Sequence, residues 1–192
     1  MTRRVAARVW RPFAVLVMLA VAGGAPAGAA SPGSSEYAVK AAFLYRFLRF
    51  STHTQSSPHR PAPADGRICV VGSDPFGGAL DDAVRGKSAR EKPISVRRFS
   101  QVSDLEPCAL VFVASAAMPY LPRILQRLKG TGSLTVGDSR DFARLGGMVG
   151  FFVDGARVRF AVDERTARAE DVVFSSLLLT VAAEHSSRPG GQ

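Results

Sequence analysis

Four short apolar runs, alternating with stretches of helical periodicity and followed by a hairpin signal, constrain this chain more than any other feature. The runs are Arg67 to Val71, Ile94 to Phe99, Ala109 to Val113 and Leu134 to Val136. Ala109 to Val113 has no polar break, the pattern of a strand covered on both faces. A helix is predicted from Phe76 to Val84, and another from Pro119 to Lys129 with Leu121, Ile124, Leu125 and Leu128 as its apolar stripe. Met148 to Val153 and Ala156 to Val162 flank Asp154-Gly155, a strong hairpin signal. Glu36 to Phe50 reads as a packed helix and residues 51–66 as a loop. Asp163 is placed to cap a last helix running from Glu164 to about Glu184, with Val173, Phe174, Leu177, Leu178 and Val181 at helical spacing. Strands alternating with helices before a hairpin predict one α/β layered domain, its sheet mostly parallel with a C-terminal antiparallel hairpin and helices flanking it.

The first thirty residues belong to a different physical object. Arg3, Arg4, Arg8 and Arg11 precede an uncharged run from Pro12 to Ala22, and small residues then supply Ala25-Pro26-Ala27 and Ala27-Gly28-Ala29. Basic, apolar and small in that order is a secretory signal peptide. The apolar run falls short of the roughly 20 residues needed to span a bilayer. The predicted organisation is a signal peptide over residues 1–30, cleaved near 27–30, an α/β domain over 31–185 and a disordered tail over 186–192, in a periplasmic protein. The leader holds four arginines and no acid, so the net charge of +9 falls to +5 without it. The remaining basic residues do not interleave with aromatics, and nucleic acid is not an expected partner.

Two cysteines remain, Cys69 and Cys108. An even pair in an exported chain reads as a disulfide, with two buried thiols as the alternative. No third cysteine or nearby histidine completes a tetrahedral metal set, and neither metal nor cofactor is expected. His53 and His59 fall in the predicted loop and His185 near the chain end, so all three read as solvated. No G-x-S-x-G elbow occurs, and Asp138 and Asp141 read as caps of a short turn. Gly72-Ser73-Asp74-Pro75-Phe76-Gly77-Gly78 lies between a strand and a helix, where backbone N–H groups can hold an anion. It lacks the Lys-Ser/Thr of a P-loop, so Asp74 is expected to cap the following helix. Gly72, Asp74 and Gly77 are nevertheless the candidate ligand-binding residues, because crevices in such sheets open at the carboxyl ends of the strands.

Several segments together resemble a known family. Tyr37-Ala38-Val39-Lys40-Ala41-Ala42-Phe43-Leu44-Tyr45-Arg46-Phe47 looks like its opening helix, and Ile68 to Gly77 like its first strand and turn. Leu134 to Asp138, Phe142, Gly146-Gly147-Met148-Val149, Val158 to Phe160 and Ser175 to Leu178 continue the likeness. The chain resembles the YfiR/HmsC-like family of small periplasmic proteins. That resemblance implies a non-enzymatic repressor that binds the periplasmic sensor portion of an inner-membrane diguanylate cyclase. Holding the cyclase inactive would lower cyclic di-GMP signalling and biofilm formation. It also matches Cys69 and Cys108 to a cysteine pair whose oxidation supports the fold, which suggests redox-linked control. A second cysteine pair of some relatives, near the Gly-Gly-Met segment, is absent here, and Ala161-Val162-Asp163 stands where relatives continue with Ile-Asn. A homodimer is compatible with this reading. The competing expectation is a periplasmic sensor of a small ligand. Interaction surface would be apolar; Phe151 and Phe152, which alternate across a strand, are both expected under helices.

Overall fold

The computed structural model describes residues 32–54, 66–89 and 91–186. The leader over 1–30, His59 and the predicted tail from residue 187 onward lie outside the described residues. In chain order the elements are α1 (Pro32–Arg49), β1 (Ser51–His53), β2 (Arg67–Val71), α2 (Gly78–Val84), β3 (Ser88–Ala89), β4 (Lys92–Pro93), β5 (Ser95–Phe99), β6 (Leu110–Val113), α3 (Leu121–Leu128), β7 (Leu134–Gly137), β8 (Val149–Asp154), β9 (Arg157–Asp163), α4 (Glu164–Ala169), β10 (Val172–Phe174), α5 (Ser176–Val181) and β11 (Glu184–Ser186). Seven strands form the main sheet in the order β11-β9-β8-β7-β6-β2-β5. The run β5-β2-β6-β7-β8 is parallel, β8 and β9 form the antiparallel hairpin, and β11 lies parallel to β9. The predicted layered α/β architecture is the observed one.

The strand alternation splits the core into two layers. Ile68 and Val70 of β2, with Leu110 and Phe112 of β6, face α1 and α2, where Ala41, Leu44, Phe47 and Leu48 fill one stripe of α1. Cys69 and Val71, with Val111 and Val113, face α3, whose Leu121, Ile124 and Leu128 meet them. Period two in the strands and 3.6 in the helices thus assign each side chain to a layer. On the α1 side Phe47 packs edge-on to Phe160 at 4.9 Å between ring centroids and lies 5.4 Å from Phe151. Phe152, expected under a helix, points the other way and is half-buried, with the Arg140 guanidinium 4.6 Å from its ring. The hairpin turns at Gly155-Ala156, since Asp154 already pairs with Arg157, and only Gly155 takes positive φ.

The connection from β7 to β8 is only residues 138–148, with a single 3-10 turn at Arg140–Phe142 in place of a crossover helix. Phe142 is fully buried and substitutes for the missing helix on the α3 side. A Cβ on Gly137 or on Gly147 would fall 2.0 Å from the Phe142 ring. Those two positions carry glycine because the ring occupies the space a side chain would need.

Several predicted boundaries move. The long C-terminal helix is instead α4, β10, α5 and β11. Asp171 adopts a left-handed φ of 61°, which ends α4, and the β-branched pair Val172-Val173 then enters a strand antiparallel to β1. Ser175 restarts the helix, its Oγ accepting from Leu178 N at 3.3 Å. The apolar spacing that suggested one helix therefore serves a strand and a helical turn in succession. Tertiary pairing with β1 overrides it, and also converts Ser51–His53 from loop to strand. His185 lies in β11 rather than at a frayed end. Asp163 caps α4 as expected, accepting from Arg165 N and Thr166 N at 2.9 and 3.1 Å. Helix α2 starts at Gly78, two residues later than predicted, and α3 at Leu121 after a 3-10 turn over Ser115–Tyr120.

Candidate functional site

Because β2, β5, β6 and β7 are parallel, the segments leaving them gather at one edge of the sheet. Numbered along the parallel run alone, the strand order is 2-1-3-4-5, with β2 first and β6 third. The crossover through α2 leaves β2 on one face and that through α3 leaves β6 on the other. The two connections diverge between β2 and β6, the switch point at which open α/β sheets form their crevices.

A cleft of 610 Å³ opens there on the α3 side. Its floor is Val71-Gly72-Ser73 and Ala116-Ala117; residues 100–103 after β5 form one wall, and Tyr120, Arg123, Gln126 and Arg127 the other. Gly72 has φ +96°, and a Cβ on it would approach that of Ala117 to 2.9 Å, so glycine is required both by the turn and by the close approach of the two segments. Its N–H donates to Phe99 O at 2.9 Å, and Ala114 N donates to Val71 O at 3.0 Å, which ties the switch-point segments together. Arg127 is anchored by its Nε, which donates to Leu105 O at 2.5 Å. The disulfide Cys69–Cys108 lies in the same layer, both residues fully buried and their Cα atoms 6.1 Å apart, and joins β2 to the segment entering β6.

On the other face, α1 reaches the same edge through a buried ionic cluster. Lys40, 3% exposed, donates from Nζ to Asp138 Oδ1 at 2.5 Å and also pairs with Glu36 one turn back. Tyr37 OH donates to Asp138 Oδ2 at 2.6 Å, and Ser115 Oγ reaches the same oxygen at 3.4 Å. Burial and the neighbouring Asp138 carboxylate push the Tyr37 phenol well above its usual range, so it stays a donor throughout the neutral range. A buried ammonium without a carboxylate would cost several kcal/mol, so the two elements are held in register by the pairing itself. Asp138 was expected to cap a turn. Ser139 performs that role, accepting from Asp141 N at 3.3 Å, while Asp138 turns inward to Lys40. The available signal was Lys40 standing beside Ala41 and one turn before Leu44 on the buried stripe, where a lysine demands a partner.

The candidate ligand residues separate. Gly72 lines the cleft, whereas Asp74 and Gly77 are held by Arg98 of β5. Arg98 Nε donates to Asp74 Oδ2 at 2.6 Å, its guanidinium also donates to Asp81 Oδ2 at 2.5 Å and to Gly77 O at 3.0 Å. The hydrogen bond from Arg98 holds the Asp81 carboxyl below the usual carboxylate range. Asp74 does not cap α2. Its Oδ1 accepts from Phe76 N at 2.8 Å, closing a local turn, and Gly77 at the helix start has no side-chain cap. Pro75 and the intervening turn place α2 too far along the chain for Asp74 to reach its first amides. His53, expected in solvent, is half-buried in β1 with Nε2 2.7 Å from Gly132 O. Among the described residues no group of three His, Cys, Asp or Glu side chains could hold a metal ion, and no helix is long and apolar enough to cross a membrane.

Comparison with known proteins places these segments in context. A family model described as YfiR/HmsC-like matches residues 37–183. No curated protein matches the chain in sequence. Among solved structures, the ABC domain in complex with L-Trp from Streptococcus pneumonia is similar with a TM-score of 0.48 at 8% identity, over 65% of this chain and 57% of that one. A conserved domain protein from Vibrio cholerae O1 biovar El Tor gives 0.48 at 7% identity, over 64% and 55%. The chain thus spans little more than half the length of either structure.

Proposed function

The chain belongs to the YfiR/HmsC-like family, and from that premise we propose that it is a non-enzymatic periplasmic repressor of a membrane-bound diguanylate cyclase. The family supports a periplasmic regulatory role in general, and the observation that carries the finer reading is the extent of the match. Residues 37–183 run from within α1 through all five strands of the parallel run β5-β2-β6-β7-β8, the hairpin and α5. The leader pattern of the first thirty residues supports export. In this reading the protein docks on the periplasmic sensor portion of the cyclase and holds the cytoplasmic output inactive, so its loss raises cyclic di-GMP and biofilm. Helices α1 and α2 on one face and α3 on the other cover much of the sheet, and outward side chains such as Leu177 and Val181 of α5 offer apolar surface for docking.

The test is affinity capture of the exported protein from solubilised inner membranes, paired with cyclic di-GMP measurement in strains with and without the gene. The expected result is recovery of an inner-membrane protein carrying a cyclase domain, and higher cyclic di-GMP in the deletion strain. Unchanged cyclic di-GMP, or a soluble catalytic activity with no membrane partner, would overturn it.

A further inference from the structure

The cleft at the switch point between β2 and β6 has a chemical character that neither the fold nor the repressor role requires. Two arginines, Arg123 and Arg127, stand one helical turn apart on α3 and line it, and no carboxylate does. Arg127 spends its Nε on Leu105 O, but neither guanidinium forms an ion pair with any described residue. That contrasts with the β5 side of the same edge, where Arg98 is saturated by Asp74, Asp81 and Gly77 O. Ser73 and Ser100 line the same space, and Tyr120, 53% exposed, forms part of the wall. An exposed tyrosine and guanidinium groups without carboxylate partners, lining one cleft, make a surface that a flat, negatively charged molecule would cover. Planar guanidinium groups favour carboxylate and phosphate oxygens through paired N–H donors. A cleft of 610 Å³ accommodates a ring with its acidic group rather than a macromolecular segment.

We propose that this cleft binds a small organic anion, a phosphate or carboxylate carried on a planar ring, with Arg123 and Arg127 on the acid and Tyr120 against the ring. The inference does not rest on the repressor reading, since it concerns the isolated protein and its own side chains. Because Gly72 and Ala117 hold the two diverging segments in contact at the floor of the cleft, an occupant would touch both crossovers at once.

The test is titration of the folded, oxidised protein with phenyl phosphate and with phenylacetate, using benzyl alcohol as the neutral control, read by isothermal calorimetry and amide chemical-shift mapping. At least one anion is expected to bind saturably, with shifts concentrated at residues 72–73, 100–103 and 116–127. Arg123→Gln is expected to weaken it about tenfold or more, the loss of one charge-assisted pair of hydrogen bonds. Tyr120→Ala should weaken the ring-bearing anion while leaving inorganic phosphate unaffected. Arg144→Gln, an exposed arginine paired with Asp141 away from the cleft, should change nothing. Phenyl phosphate and phenylacetate distinguish a phosphate ester from a carboxylate as the preferred acid. Equal binding of benzyl alcohol, absence of saturable binding by either anion, or binding indifferent to Arg123→Gln would overturn the proposal. Arg123 is exposed and without contacts the fold depends on, so its variant tests recognition rather than folding.

Discussion

Replacing Asp138 by alanine tests whether α1 is held to the sheet edge by charge or merely by apolar packing. The substitution leaves Lys40, whose side chain is 3% exposed, with Glu36 on its own helix as its carboxylate partner, itself 33% exposed, and with the Tyr37 ring 4.6 Å away. Removing one partner of a buried pair costs about 3–5 kcal/mol, because the remaining charge stays buried. Tyr37 and Ser115 lose their acceptor as well, so the upper half of that range is expected. Lys40→Met is expected to cost less, about 2–3 kcal/mol, since Asp138 would keep the Tyr37 hydroxyl as a donor. The double variant should then be much less unstable than the sum of the two, with a coupling energy of at least about 1.5 kcal/mol. Urea unfolding followed by circular dichroism gives these differences directly, and a loss of about 4 kcal/mol should lower Tm by about 8–16 °C for a domain of this size. A cost below about 1 kcal/mol for Asp138→Ala, or additivity in the double variant, would show that the cluster does not hold α1 and that the apolar stripe suffices.

Three further outcomes follow from the packing and the titrating groups. Gly147→Ala should destabilise the protein by about 2–3 kcal/mol in the same urea assay, because its Cβ would fall 2.0 Å from the Phe142 ring; an unchanged midpoint would mean that the ring has room to move. Reducing Cys69–Cys108, which closes a separation of 39 residues, should raise the mass by two hydrogen atoms, one on each thiol, and lower stability by about 3–4 kcal/mol, while equal midpoints with and without reductant would remove the staple from the account. The raised pKa of the Tyr37 phenol means that the folded state keeps its proton where the unfolded chain loses it, so stability is level below the ordinary value of 10.0 and declines as pH rises above it. Tyr37→Phe should abolish that alkaline decline, and identical alkaline profiles for the two proteins would contradict the assignment.

Much of the sheet was readable because its strands are buried on both faces. Ile68 to Val71 and Leu110 to Val113 are continuous apolar runs, and only such runs survive in the middle of a parallel sheet. The C-terminal third misled because Val173, Phe174, Leu177 and Leu178 satisfy helical spacing while Val172 to Phe174 also suit a strand. The choice was made by β1, more than a hundred residues earlier in the chain, which no local window contains. The candidate site divided in the same way. Gly72 was legible from its position at a strand end. Arg98, which takes Asp74 and Gly77 out of the cleft, sits 24 residues from Asp74, and nothing in the spacing announces their contact.

The amino-acid sequence alone determined the alternation of strands and helices from β2 to β7, the hairpin, the cap at Asp163 and the two cysteines available for pairing, because each depends on local periodicity or on a single residue's chemistry. The tertiary structure decided everything that needs two distant segments in one place. It brought Asp138 to Lys40 from 98 residues away, set Phe142 between two glycines in place of a helix, and saturated Arg98 while leaving Arg123 unpaired at the switch point. Charge pairing and close packing act through space, and a pattern along the chain records which residues can take part in them but not which ones meet.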